Sequence, residues 1–302
     1  ASTMATRQRA LNPELDPVVR IEAALGCVSA LSRMGMSGVA LDVLGSVSEL
    51  IDATADPALQ EQWTAARADV LIAAGEWEQA REIIDTVGST DADWKLRRGR
   101  LALAESRFAD AVEILRDIAD HQERPDIALA IGLALAGSDE WEEATAPLEI
   151  AAAGLSQDLE KARAWAALGR VHADLGRATL SESALDKALA LGQSDPHLVA
   201  SVHHHRFESA SARLYLEEAS AHIVQAIATL TSCGDRAGTA QCLIHAGILS
   251  LVRHDPTTAK AQLDQACQIS KEDGLVQLEA RALLGQGIAA RVTGDLGHAL
   301  DA

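Results

Sequence analysis

The chain has 302 residues, of which 48% are hydrophobic and 3% aromatic, and its 44 acidic against 26 basic side chains give a formal charge of −18. A surface of this sign repels phosphate backbones and anionic lipids, which argues against nucleic-acid binding by this segment and against a membrane-surface function. There is no apolar run long enough to span a membrane, and the N-terminus shows no signal-peptide core. We therefore expect a cytoplasmic protein.

The four cysteines predict reduced thiols. Cys27, Cys233, Cys242 and Cys267 form no CxxC motif and no pairing pattern, so we expect mostly buried side chains in a reducing compartment rather than disulfides or a metal site. Ala and Leu supply much of the apolar content, and these residues favour helices that pack along small-residue seams.

Residues 1–16 are predicted to form an N-terminal tail, and an array of helix pairs follows from about Pro17 to residue 302. A small residue recurs where the second helix of each pair is expected to begin, at spacings of 31 to 40 residues. We call these positions the anchors: Ala40, Ala80, Ala111, Ala144, Ser181, Ala219, Ala259 and Ala299.

Other positions recur at fixed distances from the anchors and support a helical stripe. Twelve residues before five of the anchors is a glycine, which lets the two helices of a pair approach closely. Four residues after each of the first seven is an aliphatic residue, and seven after each is another small or aliphatic one. The glycines are Gly99, Gly132, Gly169, Gly247 and Gly287; the aliphatics at four are Leu44, Ile84, Leu115, Leu148, Leu185, Ile223 and Leu263.

The segment 161–191 shows the pattern best, with Trp165, Leu168, Gly169, His172, Ser181 and Ala188 at repeat positions. This arrangement resembles the tetratricopeptide repeat, W-x2-L-G-x2-Y with later small positions, and in particular the repeat arrays of large bacterial transcription regulators. The resemblance implies an all-α, right-handed superhelical solenoid of antiparallel helix pairs. It would form one domain over residues 17–302, with about seven full repeats and a truncated eighth.

Proline and glycine mark the expected helix ends. Prolines at 57, 125 and 196 precede first helices, and Asp255-Pro256 is typical of a cap followed by the first residue of a second helix. Pro147 is expected to kink its helix or delay its start. Turns within the pairs are predicted at Gly35, Gly75, Gly137, Gly176 and Gly294.

The array stops at Ala302 inside a predicted second helix, without the polar capping helix that usually closes a solenoid. We therefore expect either a segment of a larger protein or an apolar end face that a partner or a second copy covers.

Catalytic and phosphate-binding motifs are absent from the sequence, so we expect no enzyme activity and no cofactor. The run His203-His204-His205 is the most conspicuous cluster. Consecutive helical residues point about 100° apart, so the three are not expected to hold one ion together, and no metal site is predicted. Ordinary solvation, a pH-sensitive role and a ligand-facing role remain open for these histidines.

The resemblance also implies that the first helices line a concave groove. An arginine-lined groove on an acidic chain suits carboxylates or phosphates; alternatively, the arginines pair with acids such as Glu105 or Asp174. The family's positions select Arg97, Arg100, Arg163, Arg170, His204, His205, Glu208, Arg281 and Arg291 as candidate groove residues.

These observations predict a non-catalytic scaffold that binds a protein, a peptide or a small effector, as a sensor or interaction module of a larger bacterial regulatory protein. The expected partner is a protein or peptide, and an acidic partner would suit the groove arginines. The alternative is a self-assembling scaffold that pairs through its uncapped C-terminal face into a homo-oligomer.

Overall fold

A computed structural model describes residues 2–33, 36–119 and 123–294, and within these ranges all regular secondary structure is helical. The described part of the chain has no helix long and apolar enough to cross a membrane. The helices are α1 (Ser2–Leu11), α2 (Pro17–Arg33), α3 (Ser37–Gly45), α4 (Ser48–Ala53), α5 (Pro57–Ala74), α6 (Trp77–Val87), α7 (Ala92–Ala104), α8 (Phe108–Arg116), α9 (Pro125–Gly137), α10 (Trp141–Gly154), α11 (Asp158–Asp174), α12 (Ala178–Gly192), α13 (Pro196–Ala212), α14 (Leu216–Cys233), α15 (Arg236–Val252), α16 (Pro256–Glu272) and α17 (Val276–Thr293).

The chain divides into two compact units between Ala151 and Ala152, inside α10. One domain over residues 17–302 stays a prediction. In each unit neighbouring helices pack as pairs, including α2 with α3, α5 with α6 and α7 with α8 in the first, and α11 with α12, α13 with α14 and α15 with α16 in the second.

The segment expected to be a tail contains α1, which packs on α2. Ala10 is fully buried, and its carbonyl oxygen accepts a hydrogen bond of 3.1 Å from Arg20 Nε. The thiol of Cys27 lies 3.7 Å from the carbonyl oxygen of Thr3. Residues 2–11 therefore contribute to the core of the first unit.

The first seven anchors all lie in the second helix of a pair, and each is 0% exposed. The aliphatic residues four positions later are buried as well. The residues seven positions after the anchors are also buried, with the exception of Val87. Val87 is 38% exposed because α6 ends there and Gly88 follows in a left-handed conformation. The eighth anchor, Ala299, lies outside the described residues.

The described turns within the pairs share one backbone feature: a residue with positive φ five positions before the anchor. Only some of these residues are glycine. Gly137, predicted as a turn, instead ends α9, and the left-handed residue of that pair is Asp139; Gly35 lies outside the described residues. The positive-φ residues in these turns are Gly75, Ser106, Asp139, Gly176, Leu214, His254 and Gly294.

Helix starts follow the predicted punctuation. Asp56, Asp195 and Asp255 cap α5, α13 and α16, and in each case a proline follows at the first helical position. Pro147 does not delay α10, which begins at Trp141 and continues to Gly154. A proline in the second turn leaves only one carbonyl, four residues earlier, without its usual helical donor.

Candidate functional site

The first helices of the second unit carry a set of polar side chains that we call the polar cluster, made of His204, His205, Glu208, His245 and Arg281. The first three lie on α13, His245 on α15 and Arg281 on α17. A residue four positions along a helix lies about 40° around the axis, so Glu208 lies between His204 and His205 on one face. The geometry of α13 alone therefore places these three side chains on one face, without a contact from another helix.

Hydrogen bonds join three helices through the polar cluster. Arg281 Nη2 lies 3.1 Å from His245 Nε2, and His245 Nδ1 lies 2.7 Å from His204 Nε2. The rings of His204 and His245 stack with centroids 4.9 Å apart, and Phe207 stacks on His245 at 5.8 Å. The histidines are therefore held in fixed orientations.

The donor and acceptor roles follow from Arg281, which has only donors. His245 Nε2 must accept its bond, so a neutral His245 carries its proton on Nδ1 and donates to His204 Nε2. A neutral His204 then carries its proton on Nδ1, which lies 3.9 Å from Glu208 Oε2. The cluster is thus an oriented chain from a guanidinium to a carboxylate.

His205 completes the arrangement around Glu208. Its Nδ1 lies 3.3 Å from Glu208 Oε2, and its Nε2 lies 3.2 Å from Ser201 Oγ. One ligand atom each from His204, His205 and Glu208 therefore lie within 4.8 Å of one another. The three consecutive histidines do not come together, but two of them do so with Glu208.

Burial determines most of the charge state of the cluster. It lowers the pKa of His204 and brings that of His245 to about 4. Burial alone would raise the pKa of Glu208, but the His205 hydrogen bond and the nearby His204, His205 and Arg170 hold it below its usual value. At neutral pH His204 and His245 are therefore neutral, and Glu208 is a carboxylate.

A second histidine pair joins α13 to α14. His203 Nδ1 is 3.4 Å from His222 Nδ1 of α14, with ring centroids 5.6 Å apart. Burial lowers the pKa of both rings, and the charge of Arg206 lowers it further; at His222 the charges of Glu218 and Glu182 act in the opposite direction. A pair of facing Nδ1 atoms can share one proton only, which keeps at least one ring neutral.

Three of the six predicted groove arginines contact acids. Arg97 Nη2 lies 3.1 Å from Asp69, Arg163 Nη2 lies 3.5 Å from Asp195, and Arg170 Nε lies 3.6 Å from Asp174. Glu105, suggested as a partner, instead pairs with Arg81 and Arg107. These contacts favour the interpretation that the arginines pair with neighbouring acids.

Arg281 belongs to the polar cluster. Of the two remaining predicted arginines, Arg100 is half-buried on α7, and Arg291 is exposed near the end of α17. The structure therefore joins only His204, His205, Glu208 and Arg281 of the predicted set into one site, with Arg170 close enough to influence the pKa of His204.

Exposed aliphatic side chains continue along the same stripes of α15 and α17, two helices that pack on each other. Ile248 and Val252 follow His245 at helical spacing, and three aliphatic residues follow Arg281 in the same way. Their exposed fractions run from 39% to 66%. We call this set the apolar strip: Ile248, Val252, Leu284, Ile288 and Val292.

His245 was missed in the sequence. It lies fourteen residues before the anchor Ala259, the offset at which His205 precedes Ala219, so comparing the same offset in adjacent repeats would have found it. Its hydrogen bond to His204 spans 41 residues of sequence. No pattern within a single repeat carries that information.

No family model and no curated protein matches the sequence. Solved structures do match. A chain of the APC/C hetero-tetramer Cut9–Hcn1 has a TM-score of 0.63 and 16% identity, over 99% of this chain and 57% of that one. The chain thus spans a little over half of that protein's length.

A Rap protein complexed with Competence and Sporulation Factor has a TM-score of 0.70 and 11% identity, over 93% of this chain and 84% of that one. A third match is a signal transduction ATPase with numerous domains from Pyrococcus horikoshii, which has a tetratricopeptide repeat sensor. Its TM-score is 0.60 at 14% identity, over 86% of this chain and 38% of that one. At these identities the likeness shows the fold alone. The fold is a tetratricopeptide-like helical solenoid, as the sequence predicted.

Proposed function

We propose that this chain is a non-catalytic interaction module that binds a protein or peptide segment on the first-helix face of its second unit. The observation that carries the proposal is the apolar strip beside the polar cluster. Burying a large aliphatic side chain contributes about 1.5–3 kcal/mol, so the strip offers affinity to an apolar segment. The charge of −18 opposes a nucleic-acid partner.

The polar cluster would supply orientation. Arg281 has five N–H donors and directs one nitrogen at His245, so other donors remain for a carboxylate of the partner. Arg97, Arg163 and Arg170 pair with acids of this chain, so they offer little attraction to a partner that is acidic throughout. A segment with several apolar side chains and one carboxylate fits this face best.

A sensor or interaction role within a larger bacterial regulatory protein is the finer form of this proposal. It is supported by the likeness to the ATPase with a tetratricopeptide repeat sensor and to Rap complexed with a factor. The same face suits a small effector that carries a carboxylate and an apolar part.

Selection from a phage-displayed library of random peptides tests the proposal. We expect enriched sequences that combine aliphatic residues with an acid, and we expect Leu284→Glu and Ile248→Glu to abolish their binding. Val224→Glu is the matched control, because Val224 is exposed on the second helix α14. Circular dichroism checks the fold of each variant. Enriched peptides that bind all three variants equally would refute the proposed face.

Self-assembly is the second candidate function. Val276, Leu284 and Val292 are each more than half exposed along α17, and burying such side chains against a second copy would favour association. Light scattering over a wide concentration range tests it. A molar mass that rises with concentration and returns to the monomer value in Val276→Glu would support assembly, and a constant monomer mass would exclude it.

A further inference from the structure

We infer that His204, His205 and Glu208 bind a divalent transition-metal ion of the zinc class, and that this ion and the hydrogen bond from Arg281 to His245 exclude one another. The site stands independently of the proposed protein partner. Two imidazoles and one carboxylate form a ligand set used for zinc and for non-haem iron.

The ligand spacing is close to what such an ion needs. A tetrahedral ion with bonds of about 2.0–2.1 Å keeps its ligands about 3.3 Å apart. His205 Nδ1 lies 3.3 Å and His204 Nδ1 3.9 Å from Glu208 Oε2, and one ligand atom from each of the three residues lies within 4.8 Å of the others. Small side-chain rotations on one rigid helix, α13, suffice to close the set. Water or a partner's carboxylate would occupy the fourth position.

The second nitrogen of each imidazole already has a partner. Metal-binding histidines usually donate their other ring N–H to a nearby acceptor, which fixes the ring. His205 Nε2 lies 3.2 Å from Ser201 Oγ, and His204 Nε2 lies 2.7 Å from His245 Nδ1. Both rings are therefore held with Nδ1 directed towards Glu208.

Ion binding at His204 Nδ1 requires a change of tautomer. Without the ion, Arg281 donates to His245 Nε2, so the protons lie on His245 Nδ1 and His204 Nδ1. With the ion, the lone pair of His204 Nδ1 forms the metal bond, and the proton must lie on Nε2, where it is donated to His245 Nδ1. The proton of His245 then lies on Nε2. The two rings hold two protons in both states.

Arg281 cannot keep its contact in the metal-bound state. His245 Nε2–H would face Arg281 Nη2–H at the present 3.1 Å, and two donors repel. Ion binding therefore releases Arg281 from His245. Arg281 lies on α17, which also carries part of the apolar strip. Ion binding would therefore change the position of a charged side chain next to that strip.

Titration of the chelator-treated full chain with Co²⁺, read by visible absorption, tests the site, with Zn²⁺ competition for affinity. We expect one ion per chain with ligand-field bands. Glu208→Gln and His205→Ala should each weaken binding by about 100-fold or more, because each removes a ligand. His197→Ala should not, because His197 is exposed and lies outside the cluster, 3.3 Å from Asp235. Arg281→Ala should bind Co²⁺ more tightly.

Absence of ligand-field bands, or equal affinity in Glu208→Gln, His205→Ala and the unaltered chain, would overturn the site. Unchanged affinity in Arg281→Ala would overturn the mutual exclusion. If His205→Ala fails to fold, the conservative Glu208→Gln decides: Zn²⁺ should raise the melting temperature of the unaltered chain and not that of this variant. An equal rise in both would place the ion elsewhere.

Discussion

Gly169 on α11 lies directly against Leu185 on α12, so that a Cβ added at position 169 would be 2.6 Å from Leu185 Cδ2. Real Cβ contacts are longer, so only glycine permits this distance between the two helices. The same approach, glycine against the leucine sixteen residues later, recurs in three other pairs: Gly99 with Leu115, Gly132 with Leu148, and Gly247 with Leu263.

Gly169→Ala is expected to destabilise the chain by about 1–3 kcal/mol, because the added methyl group overlaps Leu185 and lies 3.3 Å from the Ser181 carbonyl oxygen. Urea unfolding followed by circular dichroism measures the change. Gly26→Ala is the matched control, since a Cβ there meets no atom within 4 Å and alanine favours the helix by about 0.5–1 kcal/mol. If Gly169→Ala and Gly26→Ala shifted the urea midpoint by similar amounts in the same direction, the proposed helix contact would be contradicted.

Leu214→Gly is expected to stabilise the chain by about 0.5–1 kcal/mol. Leu214 has a φ of 61° and is 73% exposed. The left-handed conformation costs a non-glycine residue about 1–2 kcal/mol, and removing this cost outweighs the extra conformational entropy that glycine gives the unfolded chain. The converse change, Gly176→Leu at the equivalent turn with φ of 71°, should destabilise. Thermal melts of both variants check the pair, and a lower midpoint for Leu214→Gly would refute the argument.

Arg124→Gln is expected to make stability less sensitive to acid. Burial alone would raise the pKa of Asp126, but the Arg124 hydrogen bonds of 2.7 and 3.2 Å and its charge hold that pKa below its usual 3.8. A lowered carboxyl pKa stabilises the fold above about pH 4, and this contribution is lost as the pH falls through the folded value.

The variant should therefore be less stable by about 0.5–1 kcal/mol at neutral pH, and this difference should vanish near pH 2–3. Urea unfolding across this pH range measures it. A difference that persists unchanged in acid would show that Arg124 acts through packing instead.

Thiol reactivity should distinguish Cys233 from Cys242. Burial raises the pKa of Cys242 to about 11, and its side chain is buried, so little thiolate forms and reagents reach it slowly. Cys233 is exposed near the end of α14. We expect iodoacetamide to modify Cys233 first, as read by mass spectrometry of peptides, and both thiols equally in urea. Equal rates in the native chain would contradict the burial of Cys242.

The repeat frame could be predicted because packing imposes it on sequence. The first seven anchors and the paired glycine and leucine positions, such as Gly132 and Leu148, recur at fixed offsets wherever two helices must meet. Turn residues were harder, since Leu214 has no intrinsic preference for the left-handed conformation that it adopts in the turn between α13 and α14.

The polar cluster was only partly predictable. His204, His205 and Glu208 share a helix, so helical spacing groups them. His245 and Arg281 join them through bonds that span 41 and 36 residues. Whether Arg163 lies free or pairs with Asp195 likewise depends on how adjacent repeats meet.

The glycine–leucine contacts also bear on how the chain folds. Each one closes a loop of sixteen residues, so the entropy lost in forming it is small and does not grow with the length of the array. Chains dominated by such local contacts have low contact order and fold fast, and any helix pair can nucleate before its neighbours. The same glycines that bring the helices together thus give the chain several equivalent starting points for folding.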